Sequence, residues 1–319
     1  MNITNYKIWT LTDGSDGMVS QVLGLAKEFS DEILEIKTNL YFPWSFLQPG
    51  ILPINKWVFK NNLPIEDKPN LVISCGRKSV YLSIFLKKKY NDIINIHIQN
   101  PKISFDNFNY IVAPNHDMIE GQNVINSIGA LHKFSPTIIT NTKDIKNLPS
   151  QNLISCIIGG QNNHYNFGPK EAESLCMKLL DLKKNNPEIN LLIMSSRRTE
   201  RSIKMIIKNK LGEISNLWLG EGYNPYVFSL KYSSHFILTS DSTSMISESA
   251  ITGKPIYIHH LPYKRISKRL ESFHNEFRML NITRDFVYTK SLSNWTYKPL
   301  NESKRISGII KERIIEDSK

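Results

Sequence analysis

Short apolar runs alternate with amphipathic stretches along most of the chain. Residues 7–12 read as a first strand, followed by the turn Asp13-Gly14-Ser15-Asp16-Gly17. Between residues 21 and 29, Val22, Leu25, Ala26 and Phe29 recur at helical spacing. Residues 33–36 predict a second strand. Residues 71–74 predict a buried strand entering Cys75-Gly76-Arg77-Lys78-Ser79, with a helix to about residue 89. Strands at 94–98 and 110–114 end in Gln99-Asn100-Pro101 and Asn115-His116-Asp117. The pattern then restarts. Residues 153–160 form a strand closing on Gly159-Gly160, and a helix over 169–184 aligns Ala172, Leu175, Cys176 and Leu179. Residues 190–194 lead into Ser195-Ser196-Arg197-Arg198-Thr199. A short strand at 217–219, a helix opening at Asn224-Pro225-Tyr226, strands at 235–238 and 255–258, and a terminal helix over 303–316 complete the chain. Strands alternating with helices predict an α/β fold with parallel sheets. The polar stretch 140–151 marks the boundary, giving domains 1–148 and 149–319. Two such sheets are expected to face each other across an interdomain cleft, the usual place for a ligand.

Composition narrows the function. A chain of 319 residues suits two domains, and 40% hydrophobic content supplies two ordinary cores. No apolar run is long enough to cross a bilayer, and residues 1–7 lack the pattern of a signal peptide. Cys75, Cys156 and Cys176 are far apart with no CxxC spacing, which suggests reduced thiols and a cytoplasmic location. The net charge of +11 suits an anionic partner such as nucleotide phosphates or an anionic membrane surface. Part of that charge reflects a composition rich in Ile, Asn and Lys. Without zinc-ligand spacing or a nucleic-acid module, neither a metal nor nucleic acid is expected.

The densest chemistry lies in the second half. Thr239-Ser240-Asp241-Ser242-Thr243-Ser244 follows an apolar strand and opens a helix carrying Glu248; Gly253-Lys254-Pro255 comes next. Helix-start amides and hydroxyls at such a turn bind phosphate oxygens, and Glu248 is placed to hold a ribose hydroxyl. The alternative is plain helix capping by Asp241 or Ser242. Ser195, Ser196, Arg197, Arg198 and Thr199 offer a second phosphate cradle, because guanidinium binds phosphate bidentately. Gly160 allows close backbone approach to a ligand. Asn224 and Tyr226 are candidates for a base pocket, with capping by Asn224 as the structural alternative.

In the first half, Asp13, Gly14, Gly17 and Gln21 form a glycine-rich loop before a helix, a seat for an acceptor with Asp16 or Asp13 as candidate general base. An Asx-capped turn is the competing reading. Gly76, Arg77 and Lys78 put two cations at a helix start, where the dipole disfavours them unless an anion binds. Gln99 and Asn100 close another strand, and His116 is a candidate acid or base, since imidazole titrates near neutrality. Residues 40–60 are aromatic and apolar with Lys56 and Lys60 among them. They read either as a segment dipping into a membrane interface or as a flap packed on the first domain.

Taken in order, these blocks resemble a glycosyltransferase-like family typified by plant mitochondrial-fission ELM proteins and their alphaproteobacterial relatives. The resemblance covers nearly the whole chain. It implies a GT-B-like architecture of two Rossmann-like domains, the N-terminal one on the acceptor side and the C-terminal one binding a nucleotide-sugar. It implies no cofactor beyond that substrate, and no metal, since GT-B enzymes generally do without one. The expected activity is sugar transfer to a lipid or envelope-glycan acceptor, on the cytoplasmic side and in peripheral contact with an anionic membrane. Bacterial relatives suggest nucleotide-sugar epimerisation as the alternative. Plant relatives, which recruit a dynamin-like protein, suggest a non-catalytic adaptor.

Overall fold

The computed structural model describes residues 6–60, 63, 67–287 and 290–317; residues 1–5 of the segment read against a signal peptide lie outside them. In chain order the elements are β1 (Ile8–Thr12), α1 (Asp16–Ala26), β2 (Ile33–Lys37), β3 (Leu71–Cys75), α2 (Arg77–Lys89), β4 (Ile94–Ile98), β5 (Tyr110–Pro114) and β6 (Val124–Ser127). There follow α3 (Pro136–Thr140), β7 (Leu153–Ile158), α4 (Pro169–Asn185), β8 (Asn190–Ser195), α5 (Arg201–Leu211), β9 (Asn216–Trp218) and α6 (Tyr226–Tyr232). The last are β10 (Ser233–Thr239), α7 (Thr243–Ala250), β11 (Ile256–His259), α8 (Lys268–Met279), β12 (Thr283–Asp285) and α9 (Glu302–Asp317).

The chain forms two compact units. The first holds a six-stranded sheet in the order β2-β1-β3-β4-β5-β6, and the second a six-stranded sheet in the order β12-β11-β10-β7-β8-β9. Every neighbouring pair is parallel. Parallel strands are covered on both faces, so their sequences read as continuous apolar runs rather than alternations. Accordingly β1, β3, β5 and β7 are buried along their whole length.

The unit boundaries differ from the expected ones. The first unit comprises Met1–Lys133 and Asn301–Lys319, the second Phe134–Leu300. Helix α9 therefore belongs to the N-terminal unit, against the expectation of a domain running from 149 to 319. Ile306, Ile310 and Ile314, spaced four apart, are buried in one cluster with Val22, Leu25 and Phe29 of the first unit. The Glu302 carboxylate accepts the Ile128 amide (2.8 Å), and Ser303 Oγ donates to the His132 carbonyl (3.0 Å). Helix α1 passes so close to this corner that a Cβ on Gly24 would stand 2.2 Å from the His132 oxygen.

Strands β6 and β12 and helices α3, α5 and α8 were not among the expected elements. The two strands are short edge strands of four and three residues, and β12 has no apolar residue. Helix α8 did carry a signal: Leu270, Phe273, His274 and Phe277 are buried at helical spacing, although the helix is polar on average.

Candidate functional site

In the second sheet, strand order reverses between β7, the first strand of the unit in sequence, and β10. Crevices outside the carboxyl ends of strands at such a switch point are where open α/β sheets receive ligands. The turns leaving β7 and β10 contain Gly159-Gly160 and Thr239-Ser240-Asp241-Ser242, and the turn leaving β8, on the other side of β7, contains Ser196 to Thr199. The fold thus gathers three sequence-distant candidate blocks at one edge.

These turns are stitched to one another through Asp241. Its carboxylate is fully buried and accepts the Gly160 amide (3.0 Å), Thr239 Oγ1 (2.6 Å) and Arg198 Nη2 (2.6 Å). Gly159 donates its amide to Thr239 Oγ1 (2.8 Å). Space here is tight. A Cβ on Gly159 would lie 2.1 Å from the Asp241 carboxylate, and one on Gly160 would lie 2.1 Å from the Arg198 carbonyl oxygen. The glycine turn is therefore a close backbone approach, and what meets the Gly160 amide is the protein's own carboxylate rather than a ligand.

Several predicted ligand hydroxyls are likewise engaged internally. Thr199 Oγ1 donates to the backbone carbonyls of Ile158 and Gly159, and Ser196 Oγ lies 3.2 Å from Thr199 Oγ1. Ser240 is fully buried. Its hydroxyl accepts the Leu261 amide (3.0 Å), and its carbonyl accepts His274 Nε2–H (2.9 Å), so Ser240 joins β10 to the segment after β11. Ser195 is 2% exposed, and its Oγ makes no hydrogen bond among the described residues. Arg198, its side chain 42% exposed, combines the Asp241 pair with a 3.2 Å bond to the Gly160 carbonyl; Arg197 lies exposed on the same turn.

The start of α7 remains as the accessible part. Ser242 caps the helix, its Oγ accepting the Met245 amide at 3.4 Å. Thr243 and Ser244 are half-buried in the first turn, where amides have no intrahelical partner. Farther along the helix, Glu248 Oε2 accepts a 2.6 Å hydrogen bond from the Tyr226 hydroxyl. Burial and then the neighbouring Glu248 charge raise the Tyr226 pKa well above the ordinary phenol value, so the hydroxyl stays protonated and donates. Asn224 Oδ1 accepts the Tyr226 amide at 2.9 Å, an Asx turn just ahead of α6, whose N-cap is Pro225.

Gly253-Lys254-Pro255 proves structural. It precedes β11 and lies at the opposite edge of the sheet from the switch-point turns. Lys254 Nζ donates to the carbonyls of Leu230 (3.0 Å) and Lys231 (2.7 Å) at the end of α6, and burial lowers its pKa to about 8.

In the first unit, Asp13 Oδ1 accepts the Ser15 amide (2.9 Å) in an Asx turn, and Gly14 takes φ +89°. Asp16 and Gly17 are exposed, whereas Gln21 is buried and donates back to the Gly17 carbonyl (3.2 Å). Gly76 adopts φ +87° beneath Met18, and Lys78 is half-buried. Arg77 does not wait for an anion. Its guanidinium donates to the Leu47 and Ser45 carbonyls, with a longer contact to Trp44 O (3.4 Å). The cation at this helix start is explained by a backbone turn it clamps. Gln99, at φ +80°, donates its amide to Val112 O (2.8 Å), and Asn100 Oδ1 accepts the Lys102 amide (2.9 Å). His116 is 1% exposed, its Nε2 4.0 Å from Asp117. Two strands separate β1 from β5, so Asp16 and His116 start from strands about 14 Å apart and do not form a pair. Among the described residues no group of three or more His, Cys, Asp or Glu side chains is placed to hold a metal.

The family model for mitochondrial fission ELM1 matches residues 16–314. The chain belongs to this family. The uncharacterized protein RP120 of Rickettsia prowazekii is 28% identical, covering 95% of this chain and 97% of that protein. The Arabidopsis thaliana mitochondrial fission protein ELM1 is 24% identical over 75% of this chain, which spans 62% of the plant protein. Among solved structures, the ELM1-family chain is similar to one described as a UDP-N-acetylglucosamine 2-epimerase from Listeria monocytogenes (TM-score 0.55, 14% identity, 99% and 98% of the two chains covered). It is also similar to the UDP-GlcNAc 2-epimerase of Methanocaldococcus jannaschii (TM-score 0.53, 12% identity, 96% and 99% covered). At such identities the likeness establishes the fold: two parallel six-stranded sheets with helices, the architecture of GT-B glycosyltransferases and related epimerases. No helix among the described residues is long and apolar enough to cross a membrane.

Proposed function

We propose that this ELM1-family chain is a glycosyltransferase that binds a nucleotide-sugar at the switch point of its second unit. The observation carrying this reading is the pairing, on one short helix, of a serine-capped N-terminus with a carboxylate oriented by a half-buried phenol. The amides of Thr243 and Ser244, with the helix dipole, receive the diphosphate. Helix rise separates Thr243 from Glu248 by about 7.5 Å, a span that a nucleoside diphosphate bridges, so Glu248 meets the ribose diol. Tyr226 donates to one carboxylate oxygen and so fixes the orientation of Glu248 along the helix. Arg198 and Arg197 stabilise the charge that develops on the diphosphate as the acceptor oxygen displaces it from the anomeric carbon. Asp241 takes no phosphate; it positions Arg198 and the Gly160 turn. In the N-terminal unit, Asp16 is the candidate base for the acceptor hydroxyl, and the acceptor is a lipid or envelope glycan.

The test is a thermal-shift screen of UDP, other nucleoside diphosphates and their sugar conjugates, with isothermal titration of any hit. Binding to the native protein, weakened at least tenfold by Glu248→Ala without loss of fold, supports the assignment. Absence of any shift in well-folded protein refutes it and favours an adaptor. Conversion of a bound nucleotide-sugar to its epimer without acceptor assigns the same site to epimerisation instead.

A further inference from the structure

We propose that the apolar segment spanning residues 41–57 of the first unit is a landing surface for an anionic lipid bilayer. It carries a concentration of exposed large apolar side chains: Phe42 is 77% exposed, Phe46 78%, Ile51 61% and Trp57 60%. A flap packed on its own domain would bury these groups, and part of the segment does so. Leu40, Trp44, Val58 and Phe59 lie in the core with Trp9 and Tyr81. The segment therefore has two faces, one committed to the fold and one turned outward.

The outward face is rigidly presented. Arg77 clamps the carbonyls of Ser45 and Leu47, Tyr81 Oη donates to the same Leu47 carbonyl (3.0 Å), and Trp44 Nε1 donates to Pro53 O (2.9 Å). The strand-like ends are joined by Tyr41 N–H to Val58 O and Lys60 N–H to Asn39 O, each 3.0 Å. Phe42 and Phe46 stand edge to face at 6.1 Å, and Trp57 packs against Trp44 at 4.8 Å. The apolar side chains are thus held in place rather than free to collapse inward.

Charge selects the partner. From residue 36 to residue 65 the sequence contains no Asp or Glu, while Lys37, Lys56 and Lys60 are present and the whole chain carries +11. Lys56 and Lys60 are exposed at the rim, Lys60 Nζ lying 5.3 Å over the Tyr41 ring. Aromatic rings at headgroup depth with lysines reaching anionic phosphates are the chemistry of interfacial binding. A protein partner would be expected to meet a rim of both charges.

The experiment is co-sedimentation of the intact protein with phosphatidylcholine vesicles, with and without phosphatidylglycerol, at low and high salt. Binding is expected only to the phosphatidylglycerol vesicles, weakening as salt rises. Phe42→Ala and Phe46→Ala should each weaken binding roughly tenfold or more, and Lys56→Gln and Lys60→Gln roughly fivefold each. Both phenylalanines are largely exposed, so the melting temperature and any nucleotide binding should be unchanged, which separates this surface from the proposed sugar-transfer site. Met279→Ala, 86% exposed on the other unit, should leave vesicle binding intact. The proposal is overturned by failure to bind anionic vesicles, by binding indifferent to the phenylalanines, or by an equal effect of Met279→Ala. It is equally overturned if the phenylalanine variants only convert a dimer to a monomer in solution.

Discussion

Removing the Asp241 carboxylate should be among the most damaging single changes to the second unit. It is fully buried and receives three donors, the Gly160 amide at 3.0 Å, Thr239 Oγ1 at 2.6 Å and Arg198 Nη2 at 2.6 Å. Asp241→Ala leaves the Gly160 amide and the Thr239 hydroxyl proton without their acceptor in a buried site. Hydrogen bonds to charged groups contribute about 1.5–3 kcal/mol each, but they share one acceptor and do not add fully. The Arg198 side chain is 42% exposed, and solvent screening limits its share to about 1 kcal/mol or less. The expected loss for Asp241→Ala is thus about 3–4 kcal/mol, and for Arg198→Ala about 1 kcal/mol. For a unit spanning Phe134–Leu300, each kcal/mol moves the midpoint by about 2–4 °C, so calorimetry should show a fall near 10 °C against a few degrees. If Asp241→Ala proves no more harmful than Arg198→Ala, the carboxylate is not what joins the three turns and the site has been built on the wrong residue.

Three further outcomes follow from other parts of the fold. Gly160→Ala should cost about 1–3 kcal/mol, because its Cβ meets the Arg198 carbonyl at 2.1 Å; Gly308→Ala, with nothing within 4 Å, should instead stabilise α9 by roughly 0.5–1 kcal/mol, and equal urea midpoints for the two would contradict this. Burial lowers the pKa of His97 to about 3, and chiefly burial lowers those of His259 and His274 to about 4. The unfolded chain takes up these protons near pH 6.5, so stability should fall as pH drops from about 6.5 toward 4; His274→Gln should flatten the slope of urea midpoint against pH, and an unchanged slope would count against it. Burial lowers the Lys254 pKa to about 8, so the unfolded chain binds the extra proton between about 8 and 10.5 and stability should rise across that window. Lys254→Met should abolish this rise and cost about 1–3 kcal/mol near neutrality by leaving the Leu230 and Lys231 carbonyls unpaired; an intact rise in the variant would assign it to another group.

The alternation of apolar runs and amphipathic stretches already contained the α/β class and most of the strands, because parallel strands buried on both faces leave a local signature. The positions of Gly159-Gly160, Ser196 to Thr199 and Asp241 after strands were legible for the same reason. Their mutual arrangement was not. Which strands become neighbours depends on connections dozens of residues long, so only the sheet order brings the turns after β7, β8 and β10 together and lets Asp241 answer the Gly160 amide. The sequence likewise showed cations at Arg77 and Lys254 but could not show that both point at backbone carbonyls of distant segments, since no local pattern records a hydrogen bond between residues 77 and 47 or 254 and 230. Helix α9 makes the same point for the domain boundary. Its isoleucine stripe was readable, but the core that receives it is chosen by shape and burial, and lies in the unit at the other end of the chain.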